Sequence, residues 1–298
     1  MTHDTHGPGA QCPVCGTQPT IFRHAWLYRC GSCGLLSSTL SPEIPDHPTA
    51  SRIDEASRGR GLDPVRRRNN EIILCQLGLY LSPGASILDV GCGQGQFLVD
   101  AAARNYLLTG IEPDANVAPQ TKKKTGIEVR QGFFPDVLDE EERFDAIIFN
   151  DVFEHIPSAL AAIRACANHL TPGGVLVLNC PDSNGIFYRI GNFLDLCGVS
   201  TPFDRLWQKN LPSPHVWYFT TTHLLQLGKS VGLSEITTIS LLPIVREGLA
   251  DRIFHINGQS KILGVATYVA TLAALPLLSV LPRDIGVVFL TKSTVGEK

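Results

Sequence analysis

A glycine-rich loop in the first third of the chain constrains its fold more than any other feature. Residues 87–95 have the sequence ILDVGCGQG, between an apolar run at 86–90 and a helical pattern at 95–104. Glycines at such a junction let the backbone turn tightly and approach a ligand closely. The spacing is G-x-G-x-G, and Gln96 stands where a dinucleotide-binding loop would place its third glycine. The loop therefore predicts a strand–loop–helix unit that binds a ligand other than a dinucleotide.

Short apolar runs alternate with helical patterns along the central part of the chain. The predicted strands are 86–90, 107–111, 127–130, 146–149, 174–178, 235–241 and 286–291, and the predicted helices are 66–81, 95–104, 160–169 and 222–231. This alternation is typical of βαβ units and a mostly parallel, doubly wound α/β sheet covered by helices on both faces. Hydrophobic residues make up 44% and charged residues 18% of the chain, which excludes a disordered polymer.

Two carboxylates are predicted at the ends of neighbouring strands, beside the glycine loop. Asp89 directly precedes the loop, where a negative charge suits a ligand with an ammonium group better than one with a pyrophosphate. Glu112 ends the next strand, where a carboxylate can accept hydrogen bonds from both hydroxyls of a ribose.

With these two acids the segment resembles motif I of the class I S-adenosylmethionine-dependent methyltransferases, and Glu112 matches their ribose-binding acid. The resemblance continues through 144–156 and the turn at 170–174, and covers roughly 70–242 plus the final strand. It implies a seven-stranded Rossmann-like sheet and S-adenosylmethionine as cofactor. The predicted cofactor-binding residues are Asp89, Gly91, Cys92, Gly93, Gly95, Glu112, Pro113, Phe133, Asn150 and Asp151.

Two histidines are candidate catalytic residues. His155 follows the fourth strand of the family's sheet, and His215 lies in an H-x-x-Y-F-T element that resembles one in small-molecule O-methyltransferases. A histidine near neutral pKa can take the proton that a hydroxyl acceptor loses. The alternative for each is a structural histidine that caps a helix or fixes a loop.

Four of the nine cysteines form two C-x-x-C pairs near the start of the chain. Cys12, Cys15, Cys30 and Cys33 are each part of a pair followed by glycine, with fourteen residues between the pairs. The N-terminal residues lack the pattern of a secretory signal, which favours a reducing, cytoplasmic setting and a metal over disulfides. We predict a zinc ribbon over 1–40 with a closed, structural Zn²⁺ site, free thiols being the alternative, followed by a linker at 41–64.

The remaining residues, 65–298, are predicted to form the methyltransferase domain with two inserts. The first, 181–214, is rich in aromatic residues and is expected to form the acceptor wall. The second, 243–282, contains twenty uncharged residues at 262–281. This stretch is predicted to pack as a helix on the domain, on a second copy of the chain or on a membrane surface, and a membrane span is the alternative.

The sequence thus predicts a methyltransferase for a small-molecule, sugar or lipid-linked acceptor, with O-methylation favoured. One alternative is an RNA-directed methyltransferase that uses the ribbon to bind nucleic acid. The formal net charge of −3 argues against nucleic acid as a partner. The other alternative is a scaffold that binds the cofactor without turnover.

Overall fold

A computed structural model of the chain describes residues 11–41, 55–254, 261–278 and 280–292. The strands are β1 (Pro19–Phe22), β2 (His24–Cys30), β3 (Leu36–Ser38), β4 (Ser86–Val90), β5 (Leu107–Glu112), β6 (Glu128–Gln131), β7 (Phe144–Asn150), β8 (Leu170–Pro181), β9 (Trp217–Tyr218), β10 (Leu233–Leu241) and β11 (Ile285–Lys292). The helices are α1 (Glu55–Leu77), α2 (Gln96–Ala102), α3 (Val117–Thr125), α4 (Ala159–His169), α5 (Ile186–Leu196), α6 (Thr201–Leu206), α7 (Thr221–Ser230), α8 (Leu249–Phe254) and α9 (Lys261–Leu278). A single 3₁₀ turn, η1, covers Phe153–His155.

The larger sheet has seven strands in the order β10-β11-β8-β7-β4-β5-β6. Strands β8, β7, β4, β5 and β6 pair in parallel, whereas β11 is antiparallel to both of its neighbours. This confirms the predicted fold, a mostly parallel seven-stranded sheet of the methyltransferase type. Because β11 runs against the others, its first residues and the last residues of β10 lie at the carboxyl edge of the parallel strands.

The central strands are apolar because helices cover both faces of the sheet. Ile147 and Phe149 of β7 belong to one core cluster, and Ile148 belongs to the cluster on the other face. Alternate residues of one strand thus serve two cores. The buried polar residues Asp89, Glu112 and Asn179 lie at or near the carboxyl ends of their strands.

Helix α1 corrects the predicted linker. The helix begins at Glu55, so residues 55–64 of the predicted linker 41–64 are helical, and residues 42–54 lie outside the described residues. Pro64 had indicated a break, yet it lies inside this helix. The helix ends at Leu77, before the predicted end at Leu81.

The ribbon shares its sheet with the larger domain. Strands β1, β2 and β3 form an antiparallel sheet whose fourth strand is β9, with Leu36 opposite Tyr218 and Ser37 opposite Trp217. The ribbon is therefore docked on residues more than 175 positions later, rather than attached only through its own chain end.

Both predicted inserts contain helices. The region 181–214 forms α5 and α6, which bury Tyr188, Phe203 and Trp207 and leave Phe193 exposed. The region 243–282 contains α8 and α9. Within the described ranges, no helix combines the length and apolarity that crossing a bilayer requires. Val265, Val269 and Leu277 of α9 are more than half exposed.

Candidate active site and zinc ribbon

The glycine loop takes backbone conformations that favour glycine. Gly91, Gly93 and Gly95 all have positive φ angles, of 72°, 50° and 76°. The N–H groups of Gly91 and Cys92 both donate to the carbonyl of Ile111, at 2.7 and 3.0 Å, which holds the loop over the end of β5. A Cβ at position 91 would lie 2.7 Å from Cγ2 of Val152, so Gly91 is also required by packing.

Gly91→Ala is expected to destabilise the fold by roughly 2–4 kcal/mol, from left-handed strain of about 1 kcal/mol and overpacking of about 1–3 kcal/mol. Gly93→Ala is the matched control, since it has a positive φ but nothing within 4 Å of its added methyl group. Urea denaturation of both variants checks this. Equal losses of stability would contradict the role of the Val152 contact.

Glu112 organises the loop through its two carboxylate oxygens. Oε2 accepts a hydrogen bond from the Gly93 N–H and Oε1 accepts one from the Asp114 N–H, both at 2.9 Å. Thr121 donates its hydroxyl to the Gly93 carbonyl at 2.7 Å. Each carboxylate oxygen retains a further lone pair, so Glu112 can still accept hydrogen bonds from ribose hydroxyls.

Asp89 is a buried carboxyl at the end of β4, only 2% exposed. Burial, and then the charge of Glu112, raise the pKa of Asp89 to about 8. Such a group gains from a cationic partner, because a positive charge offsets the cost of ionising it out of water. The ammonium group expected from the sequence fits this requirement.

The other predicted cofactor residues differ in how their side chains are used. Cys92 belongs to an apolar cluster with Leu98, Ala118 and Val129, so its side chain is part of the core. Pro113 directly follows β5, and Phe133 lies two residues after β6. The side chain of Phe133 is 59% exposed. Its ring is free to stack on a planar ligand at the carboxyl edge.

A chain of amide side chains crosses the carboxyl edge behind the loop. Asn150 accepts a hydrogen bond from Asn179 at 2.5 Å and donates to Asn70 at 3.0 Å, and Asn70 in turn donates to Asp100 at 2.9 Å. Asn179 also lies 3.4 Å from Asp151, whose backbone is left-handed with a φ of 57°. Of these residues, the sequence predicted only Asn150 and Asp151.

The two candidate histidines lie together with a glutamate. The rings of His155 and His215 are 4.9 Å apart, and His155 Nε2 lies 3.8 Å from Glu154 Oε1. His155 donates from Nδ1 to the Pro214 carbonyl at 2.9 Å, which leaves Nε2 with its lone pair. His215 Nε2 lies 2.9 Å from the Gln208 amide nitrogen, while its Nδ1 and Glu154 Oε2 are buried with no hydrogen-bond partner among the described residues.

Burial shifts the pKa values within this cluster in opposite directions. It raises the pKa of Glu154 well above its usual value and lowers those of His155 and His215, the last to about 3. Each shift has the same cause, since a charge on any one group would be held away from water. A carboxyl group whose pKa is raised, beside two imidazoles whose pKa values are lowered, is suited to holding and moving a proton.

The four ribbon cysteines converge on one point. Their sulfur atoms all lie within 4.8 Å of one another, with Cys12 and Cys33 3.5 Å apart and Cys15 and Cys30 3.3 Å apart. A tetrahedral Zn²⁺ with Zn–S bonds of about 2.3 Å places its sulfurs about 3.8 Å apart. The four thiols therefore fit a closed zinc site.

The knuckle backbones support the same assignment. Gly16 and Gly34 have φ angles of 74° and 80°, and their N–H groups donate to the carbonyls of Cys12 and Cys30. Burial raises the pKa of the Cys33 thiol to about 11, which leaves it protonated at neutral pH unless a cation is bound.

The comparisons with known proteins agree with this site. A family profile described as a methyltransferase domain matches residues 65–238. A ubiquinone biosynthesis O-methyltransferase from Xanthomonas campestris is 38% identical over 129 residues, 40% of this chain and 49% of the relative. One from Alkalilimnicola ehrlichii is 33% identical over 165 residues, 50% of this chain and 64% of the relative. The chain thus spans about half the length of the first of these relatives.

Solved structures show the same fold at low identity. A cyclopropane synthase from Mycobacterium tuberculosis aligns with a TM-score of 0.56 at 19% identity, covering 85% of this chain and 90% of its own. The profile match covers more than half of the chain and includes the glycine loop, Asp89, Glu112 and the Glu154–His155 turn. The chain therefore belongs to the methyltransferase-domain family.

Proposed function

We propose that this chain is an S-adenosylmethionine-dependent methyltransferase that methylates a hydroxyl group of a small, lipid-linked acceptor, with His155 as the group that takes the hydroxyl proton. The observation that carries the proposal is the cluster of Glu154, His155 and His215 at the 3₁₀ turn that follows β7, next to Val152, which lies against Gly91 of the glycine loop. A proton-accepting site is needed for a hydroxyl acceptor, because its proton must leave as the oxygen is alkylated.

When bound, S-adenosylmethionine supplies an electrophilic methyl group on its sulfonium. Glu112 and the Gly93 backbone would hold the ribose, and Asp89 would hold the ammonium group. This fixes the direction of the methyl group, and orientation of the reactants supplies much of the rate enhancement. His155 Nε2 would take the proton that the acceptor hydroxyl loses when it is methylated.

His155 suits this role better than His215. Its side chain is 17% exposed, whereas His215 is almost completely buried and already engages Gln208. Glu154 Oε1 lies 3.8 Å from Nε2, so a carboxyl oxygen faces the nitrogen that gains the proton. His215 is then a positioning residue, whose ring limits where the His155 ring can turn.

A groove at the same edge of the sheet supports an apolar acceptor. It encloses about 140 Å³ and is lined by α1, the start of α5, the residues after β10 and the end of α9. Phe187, Ile244 and Leu275 are among its apolar residues, and Arg68 and Arg283 lie at it as cations. The exposed apolar residues of α9 beside it support contact with a membrane surface, and a contact between two copies of the chain is the competing arrangement.

The acceptor class is tested with S-adenosylmethionine labelled in its methyl group. The purified protein is offered a phenol that carries a prenyl chain and the same phenol without the chain. Label in the methyl ether, with the prenylated compound turned over more efficiently, is the expected result. Equal turnover of both would argue for a water-soluble acceptor.

The same labelled cofactor separates the two rival functions. Incubation with a cell lysate, followed by extraction, shows whether label enters organic, small aqueous or RNA fractions. Label in RNA, lost at high salt, would overturn the proposal in favour of an RNA-directed enzyme. Cofactor binding with no labelled product in any fraction would favour a scaffold.

A further inference from the structure

We propose that the zinc ribbon is a positioning element of the acceptor side, so that its metal holds the segment 214–219 and through it the His155–His215 pair. The inference deepens the proposed function, because it assigns the ribbon a part in acceptor turnover. The hydrogen bonds that hold the segment 214–219 come partly from the ribbon and partly from the methyltransferase domain, so neither part alone would hold it in place.

The segment 214–219 is held on one side by the last ribbon strand. The backbone N–H of Ser38 donates to the Val216 carbonyl at 2.8 Å, and the Ser38 hydroxyl donates to the His215 carbonyl at 2.6 Å. Strand β9 continues this pairing at Trp217 and Tyr218. The backbone of His215 is thus fixed by β3 of the ribbon.

The other side of the same segment is held by the turn that carries His155. The Val216 N–H donates to the Glu154 carbonyl at 2.9 Å, and the Trp217 indole donates to the Ile156 carbonyl at 2.9 Å. His155 itself donates to the Pro214 carbonyl. Three hydrogen bonds therefore connect the ribbon-bound segment to the residues on either side of His155, and to His155 itself.

The backbone of Cys33, a candidate zinc ligand, also takes part in docking the ribbon, through a hydrogen bond from His223. His223 Nδ1 accepts from the Thr220 N–H at 3.1 Å within a capping box of α7, which leaves Nε2 as the protonated nitrogen. Nε2 lies 3.0 Å from the Cys33 carbonyl and donates to it. The backbone of Cys33 thus connects the four-thiol site to α7, directly after the segment 214–219.

A charged contact fixes the opposite end of the ribbon. Asp195 at the end of α5 is 3.2 Å from Arg23 and accepts from His24 at 2.9 Å. Burial acts to raise the pKa of Asp195, but hydrogen bonds from Ser200 and His24 and the charge of Arg23 outweigh it and lower the pKa. The carboxylate is therefore ionised at neutral pH, and it ties the ribbon to the predicted acceptor wall.

The ribbon has too few apolar residues to keep its shape unaided. Its strands β2 and β3 share one apolar cluster with the acceptor side of the domain, formed by Leu27 and Leu36 with Tyr188, Phe203, Trp207 and Tyr218. Domains below about 40 residues need disulfides, metals or partners to fold, and a structural zinc site contributes directly to folding. Loss of the metal should therefore release β3 and, with it, the segment 214–219.

The tryptophans provide a direct test, because all three of them lie at this interface. Trp26 and Trp207 have ring centroids 5.6 Å apart, and Trp217 is paired with β3. Removing zinc from the full-length protein with a chelator is expected to shift tryptophan emission to the red. Hydrogen exchange should increase in peptides covering 214–224 and remain unchanged in peptides covering 86–95. Added zinc should reverse both effects.

Acceptor turnover and cofactor binding complete the test. The metal-free protein should bind S-adenosylmethionine within about two-fold of the zinc-loaded affinity, while kcat/KM for the acceptor falls by about 100-fold, as for a group displaced by about 1 Å. Unchanged exchange at 214–224 after the metal has left would overturn the inference. An equal loss of cofactor binding would also overturn the inference, because the ribbon would then stabilise the whole protein rather than the acceptor side.

Two variants keep the inference testable if chelation unfolds the protein. Ser38→Ala removes the hydrogen bonds that the Ser38 hydroxyl donates to the His215 carbonyl and accepts from the Leu40 N–H, without changing a zinc ligand. It should raise exchange at 214–219 and at Leu40 and leave 86–95 unchanged. Cys75→Ser, on the exposed face of α1 and outside both the four-thiol site and the ribbon interface, is the control and should change neither fluorescence nor exchange. Because exchange and fluorescence need no acceptor, a failure of the proposed O-methylation would not be mistaken for a failure of this inference.

Discussion

Asp89→Asn is expected to stabilise the cofactor-free protein and to weaken binding of S-adenosylmethionine at the same time. The pKa of Asp89 in the folded protein, about 8, lies above the value of 3.8 that an exposed aspartate shows. Between these two values the folded state binds more protons than the unfolded state, so stability falls as the pH rises. The advantage of the variant should therefore grow by roughly 1 kcal/mol per pH unit between pH 5 and 8.

The loss of binding has a separate origin in the same group. Removing a hydrogen bond between two charged groups costs about 1.5–3 kcal/mol, or roughly a 10- to 150-fold increase in Kd. Urea denaturation at pH 5 and pH 8, with calorimetric titration of S-adenosylmethionine, measures both effects. A variant that is less stable than the parent at pH 8, or that binds the cofactor normally, would contradict this role of Asp89.

Asp145→Asn is the matched control, because Asp145 lies at the opposite edge of the same sheet. Its carboxylate accepts from the Ser86 N–H at 2.8 Å, the Ser86 hydroxyl at 3.0 Å and the Thr171 hydroxyl at 3.1 Å. These bonds outweigh burial and lower its pKa. The stability that Asp145 provides is therefore present above pH 4 and lost on acidification, so this variant should be less stable at neutral pH while binding the cofactor as the parent does.

The sheet could be predicted from the sequence because its signal is local. Strand β4 has the predicted bounds, β5 is longer than predicted by one residue at its end, and β11 is longer by one residue at each end. Apolar runs between glycine-rich turns determine such strands without reference to distant residues. The carboxyl edge follows from the same pattern, which is why Asp89, Glu112 and Asn150 could be placed near one another in advance.

The docking of the ribbon could not be predicted in this way. Strand β9 is only two residues long, and its partner lies about 180 positions earlier, so no periodicity marks it. Asn179 was missed because β8 extends to Pro181, beyond the predicted end at 178. Asn70 could have been recognised in the sequence as a polar residue beside the apolar positions of a predicted helix. It is buried in the structure, and a buried asparagine requires hydrogen-bond partners.

Substitution of His155 should have the largest effect on turnover. Loss of a positioned general base lowers kcat by about 10²- to 10⁴-fold, so His155→Ala is expected to lose activity to that extent and to bind S-adenosylmethionine normally. Because burial lowers the pKa of His155, the parent enzyme should keep a constant kcat above pH 6.5 and lose activity only as the ring gains a proton at lower pH. Single-turnover rates from pH 5 to 8 with the labelled cofactor measure both.

His155→Asn separates proton transfer from a structural role. The asparagine amide can still donate to the Pro214 carbonyl in place of the ring Nδ1, but it offers no basic nitrogen where Nε2 stood. If His155 only fixes the loop, the asparagine variant should retain activity while the alanine variant loses it. If His155 takes the acceptor's proton, both variants should be inactive, although the asparagine variant should keep the exchange protection of residues 213–216. We expect this second result, because the hydrogen bond from Nδ1 leaves a lone pair on Nε2.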